Sequence, residues 1–186
     1  MKRILFFSCF VFSLSVSAWE LDNSASRVSF VTNKAGAVAE VHRFAQLDGS
    51  IDANGAAQVT IELASIDTLL PDRDQRLRDI LFQVARYPEA VIKAEFDPAI
   101  LQNLSSQSSL KLPVTLDLHG TSVTLNPELV IAQLPDGSLA VSSMEPVVVY
   151  GYQFGFMEAI EELRTIAGLP SINPAVTVQF YLTFVP

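Results

Sequence analysis

Thiols are almost missing from this chain: one cysteine, Cys9, stands among 186 residues, and it lies inside an apolar leader. Beyond residue 18 there is no thiol to form a disulfide, act as a nucleophile or bind a metal as thiolate, so a hydrophobic core alone must hold the fold together. Histidine is nearly as scarce. His42 and His119 are the only imidazoles, far apart and without the i, i+4 spacing of a zinc helix. Each reads as a structural or surface group, His119 finishing a turn, with a shared metal site as the alternative. No Gly-x-Ser-x-Gly elbow is present, so a serine hydrolase has no nucleophile turn. Positive charge is also short, with 12 Lys and Arg against 20 Asp and Glu and a net charge of −8. An acidic protein is repelled by phosphate backbones, and nucleic acid is excluded as a partner.

What is there begins with a leader. Residues 1–18 combine Lys2 and Arg3, an apolar stretch over 4–16, and small residues at Val16-Ser17-Ala18 suited to cleavage before Trp19. The stretch falls short of the ~20 residues of a spanning helix and reads as a secretory signal peptide. The expected domains are therefore a signal peptide over 1–18 and one folded unit over 19–186. Loss of Lys2 and Arg3 takes the net charge from −8 to −10. The remainder is rich in Val, Ile, Leu and Phe, which excludes disorder.

The pattern then settles into a period of two. Val41, Ala45, Leu47 and Ile51 share one face, and Val59, Ile61 and Leu63 another; Leu110 to Leu118 alternates, as does Val123 to Ile131 across Pro127. Leu139-Val141, Val147-Val149, Val176 to Phe184, Val28-Phe30 and Ile92-Phe96 bring the total to about eight strands. Asn54-Gly55, His119-Gly120 and Asp136-Gly137 supply hairpin turns. The fold class that follows is all-β, an antiparallel meander of about eight strands closed as a lipocalin-like barrel, with two short helices; an open sandwich is the rival. Residues 105–109 read as an exposed serine turn, and Asn103-Leu104-Ser105 matches a glycosylation sequon.

Two stretches break the β pattern. In the segment 65–88, Leu77, Ile80, Leu81 and Val84 form one apolar helical stripe, with Asp72 expected as N-cap and Gln75 reaching back to it. Asp72, Asp74 and Asp79 alternate with Arg73, Arg76 and Arg78, a solvated face of local ion pairs or a polar cluster at a pocket mouth. A second helix is expected over 157–167, its apolar face formed by Ala159, Ile160, Leu163 and Ala167 and its end marked by Gly168 and Pro170. The aromatic stretch YGYQFGF before it reads equally as a bend at a cavity rim or a packed loop.

Several of these residues fall into an ordered set. Ser65-Ile66-Asp67-Thr68, Arg73-Asp74, Leu77, Phe82 and Tyr87-Pro88 follow one another, preceded by Phe44, Leu47, Gly49 and Ile51 and followed by Leu116-Asp117-Leu118-His119-Gly120. In these motifs the chain resembles the YceI-like polyisoprenoid-binding proteins over most of its length after Trp19. It departs from them at Arg76, where the family has His, and at Thr121-Ser122-Val123, which lacks the family's basic residue.

The resemblance implies a periplasmic barrel that binds or transports a polyisoprenoid or quinone-type lipid without catalysis, cofactor or metal. Periodicity alone implies only a strongly apolar interior. Candidate ligand-binding residues are Phe30, Leu47, Leu116, Leu118, Val147 and Val149 on strands, and Leu77, Ile80, Leu81 and Phe82 on the helix. Tyr87, Phe154 and Phe156 supply aromatics, and Arg73 a charge. The partners expected are a long-chain isoprenoid or similar apolar lipid, with a homodimer and transient membrane contact as options. A periplasmic interaction module with a fully packed barrel is the competing reading. An enzyme ranks third and requires His42 or His119 to converge with acidic residues in a cleft.

Overall fold

The computed structural model describes residues 17–102, 104 and 108–186. Most of the leader and the sequon lie outside the described residues; Ser17 and Ala18 open the first strand. Fourteen strands form one antiparallel sheet: β1 (Ser17–Leu21), β2 (Arg27–Lys34), β3 (Val38–Phe44), β4 (Leu47–Asp52), β5 (Ala56–Glu62), β6 (Ile66–Asp67), β7 (Glu89–Glu95), β8 (Ser108–Lys111), β9 (Val114–Leu118), β10 (Thr121–Leu125), β11 (Glu128–Gln133), β12 (Leu139–Ser143), β13 (Val147–Tyr150) and β14 (Ala175–Val185). Three α-helical segments accompany it, α1 (Pro71–Arg76), α2 (Ala99–Gln102) and α3 (Met157–Ile166).

The all-β antiparallel class agrees with the sequence reading, whereas the count of about eight strands and the closed meander do not. Proline accounts for much of the difference. Without an N–H, Pro113 and Pro127 cannot continue a ladder. The apparent strand 110–118 therefore splits into β8 and β9, and 123–131 into β10 and β11, each half pairing with different neighbours. Likewise Val41 does not share a face with Leu47 and Ile51. The break at Ala45-Gln46 separates β3 from β4, so Val41 is exposed while the other two are buried. Ser108 and Ser109, read as a turn, are strand residues.

The strand order β10-β9-β7-β5-β4-β1-β14-β12-β11-β8 does not return to its start, so the hydrogen-bonded sheet is open. β14 is its spine. The first half of β14 pairs with β13 and β2, and its second half with β12 and β1. The three expected hairpin turns form, and at His119-Gly120 both residues adopt positive φ (52° and 76°), the geometry a two-residue turn needs between β9 and β10.

Candidate functional site

The curled sheet surrounds a cavity of about 940 Å³. Strand alternation supplies its wall: Phe30, Phe44, Val59, Ile61, Ile92, Leu116, Val178 and Phe180 all turn inward. Along β14 the inward series continues through Leu182 and Phe184, which are buried and mark the closed end together with Ile51 and Leu139. The wall is almost entirely hydrocarbon.

The lid over this space starts at Pro71, not Asp72. Leu70 occupies the N-cap position without a side-chain cap, and Pro71 opens the helix, where its missing N–H leaves nothing unsatisfied. Asp74 instead reaches back across the turn. Its Oδ1 accepts the Thr68 backbone N–H at 2.9 Å and the Thr68 hydroxyl, and both side chains are buried. Gln75 donates to Asp79 rather than capping. The expected Asp–Arg pairs within the helix do not form: Arg73 goes to Glu40 and Thr68, and Arg78 to the Ala64 carbonyl and Gln75.

After Arg76 the helix widens to a π-turn over Leu77–Leu81, with the Phe82 N–H donating to the Leu77 carbonyl at 2.9 Å. The extra residue in the turn changes which side chains face the sheet. Leu77, Leu81 and Phe82 line the cavity, whereas Ile80 and Val84 rotate off it. α3 forms the adjoining part of the lid, with Ile160, Leu163 and Ala167 on the cavity side as its periodicity requires. Gly151, at the start of the YGYQFGF turn, permits this packing, because a Cβ there would stand 2.9 Å from the Ile160 side chain and 3.2 Å from the Pro174 carbonyl. Phe154 and Phe156 of that turn are buried and line the cavity.

Polar groups gather at one end. Glu40 Oε2 receives both Lys34 Nζ and Arg73 Nη1 at 2.5 Å, tying β2, β3 and α1 together. The Lys34 hydrogen bond, with the Arg73 charge adding to it, holds the Glu40 carboxyl below its ordinary range. His42, on the same inward parity as Glu40 and Phe44, is buried, and its Nε2 lies 2.9 Å from the Thr32 hydroxyl. Burial pushes its pKa down, reinforced by the Arg73 charge. The exposed lining residues all fall on two segments, Leu70, Pro71, Asp72 and Arg76 on one side and Ala167 and Asn173 on the other. This is the cavity mouth.

Most residues singled out from sequence meet around this space: Phe30, Arg73, Leu77, Leu81, Phe82, Leu116, Leu118, Val147, Val149, Phe154 and Phe156 all line it. Three do not. Leu47 is buried in the core away from the cavity, Ile80 is turned aside by the π-turn, and Tyr87 packs on His119 with ring centroids 4.3 Å apart. His119 in turn meets Phe156 at 5.0 Å, and Phe156 meets Phe82 at 6.1 Å. Tyr87 and His119 thus brace the lid from outside. Sequence reasoning missed Lys34, Glu40 and His42 as a group; their alternation with Phe30 and Phe44 carried the signal. Among the described residues, no group of three His, Cys, Asp or Glu side chains could hold a metal ion.

An apolar chamber under a helical lid invites comparison with known proteins. The profile of the YceI-like domain matches residues 19–184. The chain belongs to the YceI-like family. Among solved structures it is similar to a polyisoprenoid-binding domain from Saccharophagus degradans implicated in plant cell wall breakdown, with 33% identity, a TM-score of 0.89, and coverage of 92% of this chain and 100% of that one. Burkholderia cenocepacia BcnA shares the fold at 19% identity and a TM-score of 0.68, covering 88% of this chain and 98% of its own. A Campylobacter jejuni YceI protein does so at 18% identity and a TM-score of 0.54, covering 76% and 82%. Compared with curated protein sequences, the chain has no match. The fold is therefore the lipocalin-like fold of this family, built here on an open sheet.

Proposed function

We propose that this YceI-like protein binds and carries a long apolar lipid, of the polyisoprenoid or quinone type, in its central cavity, without catalysing a reaction on it. The observation that carries this reading is the roughly 940 Å³ hydrocarbon-lined chamber with its polar groups confined to the mouth. A packed interaction module would fill that space with its own side chains. The similar Saccharophagus domain, which binds a polyisoprenoid, supports the same reading. At about 30 Å³ per heavy atom, the share of a water molecule in the liquid, the chamber takes on the order of 30 atoms, or about six isoprene units. Each buried methylene contributes about 0.8 kcal/mol gross, from which chain ordering and association costs subtract heavily. Affinity therefore follows tail length more than headgroup. The basic leader over 1–18 fits export to the periplasm, where an acidic exterior keeps a loaded carrier soluble.

Extraction of the protein purified from its native host, followed by mass spectrometry, tests the reading. The expected result is a stoichiometric apolar lipid that is missing from folded Leu81→Asp. A folded, monomeric wild type that yields no lipid and takes up none would overturn it.

A further inference from the structure

The mouth carries a surface that lipid binding alone does not use. Leu69, just before the lid helix, is 81% exposed and has φ +63°. A bulky side chain in the left-handed region is strained, and Gly or Asn would relieve it. Leu69 makes no compensating burial within its own fold. It is followed by Leu70, 54% exposed, and by exposed Pro71. Val41, two residues before Arg43 on β3, is 68% exposed. Across the mouth, Ile166 at the end of α3 is 45% exposed beside the lining residue Ala167.

Charge on the α1 side of the rim is balanced although the chain as a whole carries −8: Lys34, Arg73 and Arg76 stand against Glu40, Asp72 and the buried Asp74. Lys34 and Arg73 are both held on Glu40, whereas Arg76 is exposed and pairs with no carboxylate among the described residues; on the α3 side the exposed Glu162 lies one turn before Ile166. Apolar side chains projecting beside an unpaired arginine suit a phospholipid surface, where the first enter the acyl boundary and the second meets a phosphate. They suit an acidic or neutral protein patch less well, since Leu69 and Ile166 stand on opposite sides of an opening rather than on one continuous face.

We propose that the protein docks mouth-first on a phospholipid membrane, with Leu69 and Ile166 inserting and Arg76 contacting lipid phosphate. Docking in this pose sets the opening directly against the bilayer, so an apolar tail passes between membrane and cavity without crossing water. The inference rests on the lipid-carrier reading for its purpose, but not for its observations.

Co-sedimentation of the full mature chain with vesicles of phosphatidylethanolamine and phosphatidylglycerol is the test. The comparison is with Leu69→Asn/Ile166→Gln, in which Asn tolerates positive φ and neither position lines the cavity. The expected result is binding by wild type, weakened at least about tenfold in the double variant, with lipid content after extraction unchanged. Arg76→Glu is expected to weaken binding further as phosphatidylglycerol increases. Absence of wild-type binding, or equal binding by the double variant, overturns the proposal. So does self-association through this face that Leu69→Asn abolishes while vesicle binding stays constant, since a second copy then covers the rim. Rim-dependent docking by a protein whose cavity yields no lipid upholds the docking and overturns the carrier reading alone.

Discussion

Asp74 shows how one side chain can fix the lid. It is buried and satisfies both the backbone N–H and the hydroxyl of Thr68, so its loss leaves a buried donor without a partner. Asp74→Ala is expected to lower unfolding stability by about 1–3 kcal/mol, and Asp74→Asn by less, because an amide oxygen still accepts from Thr68; urea denaturation separates the two. Glu40 and His42 make the same region sensitive to acid. His42 is held neutral by burial, so the unfolded chain binds the extra proton and stability falls as pH drops below the ordinary histidine value of 6.5. Glu40 has a lowered pKa, so its clasp on Lys34 and Arg73 is present above the usual glutamate value of 4.5 and is lost as pH falls through the lowered one. Unfolding curves collected against pH should therefore show both declines, and Glu40→Gln should flatten the second while deepening the first, because the Glu40 carboxylate 3.7 Å from His42 opposes the lowering of the histidine.

At the scale of elements, the π-turn of the lid separates what the sequence could reveal from what it could not. Leu77, Ile80, Leu81 and Val84 fit a 3.6-residue period, and nothing in their spacing announces a wider turn. The backbone shifts so that the Leu77 carbonyl accepts from Phe82, bringing Phe82 inward and carrying Ile80 aside. Folded Leu77→Asp is accordingly expected to lose bound lipid, whereas Ile80→Ser retains it; equal losses measured by extraction would contradict the π register. The strands were legible face by face, because alternation identifies Phe30, Leu116 and Val149 as inward regardless of pairing partners. Their number was not. Pro113 and Pro127 sit inside the two stretches read as single strands, but the apolar parity on either side continues unbroken and disguises two strands as one. Arg73 was legible as a special charge within the helix; its partner Glu40, 33 residues earlier, becomes evident only once β3 is seated beneath α1.

Among the described residues the molecule is a spine strand with a sheet curled about it, a two-helix lid, and a mouth between residues 70–76 and 167–173. In the proposed carrier, the polar groups at the opening and the hydrocarbon elsewhere would orient a tail inward and leave a headgroup near Lys34, Arg73 and Arg76. Ala94 pairs across the sheet with Ala57 and Val114, and its small side chain leaves room along the wall toward the closed end. Ala94→Phe is expected to keep the fold and shorten the longest tail accommodated, read as a shift in the chain lengths recovered by mass spectrometry.

In the proposed carrier a hollow of finite length, rather than a headgroup pocket, determines binding. Titration of the delipidated protein with a series of polyprenols of increasing length tests it most directly. Affinity is predicted to rise with each isoprene unit up to about six, as the roughly 940 Å³ chamber fills, and to level off beyond. Affinity independent of tail length, or no uptake by the folded protein at any length, would contradict the account.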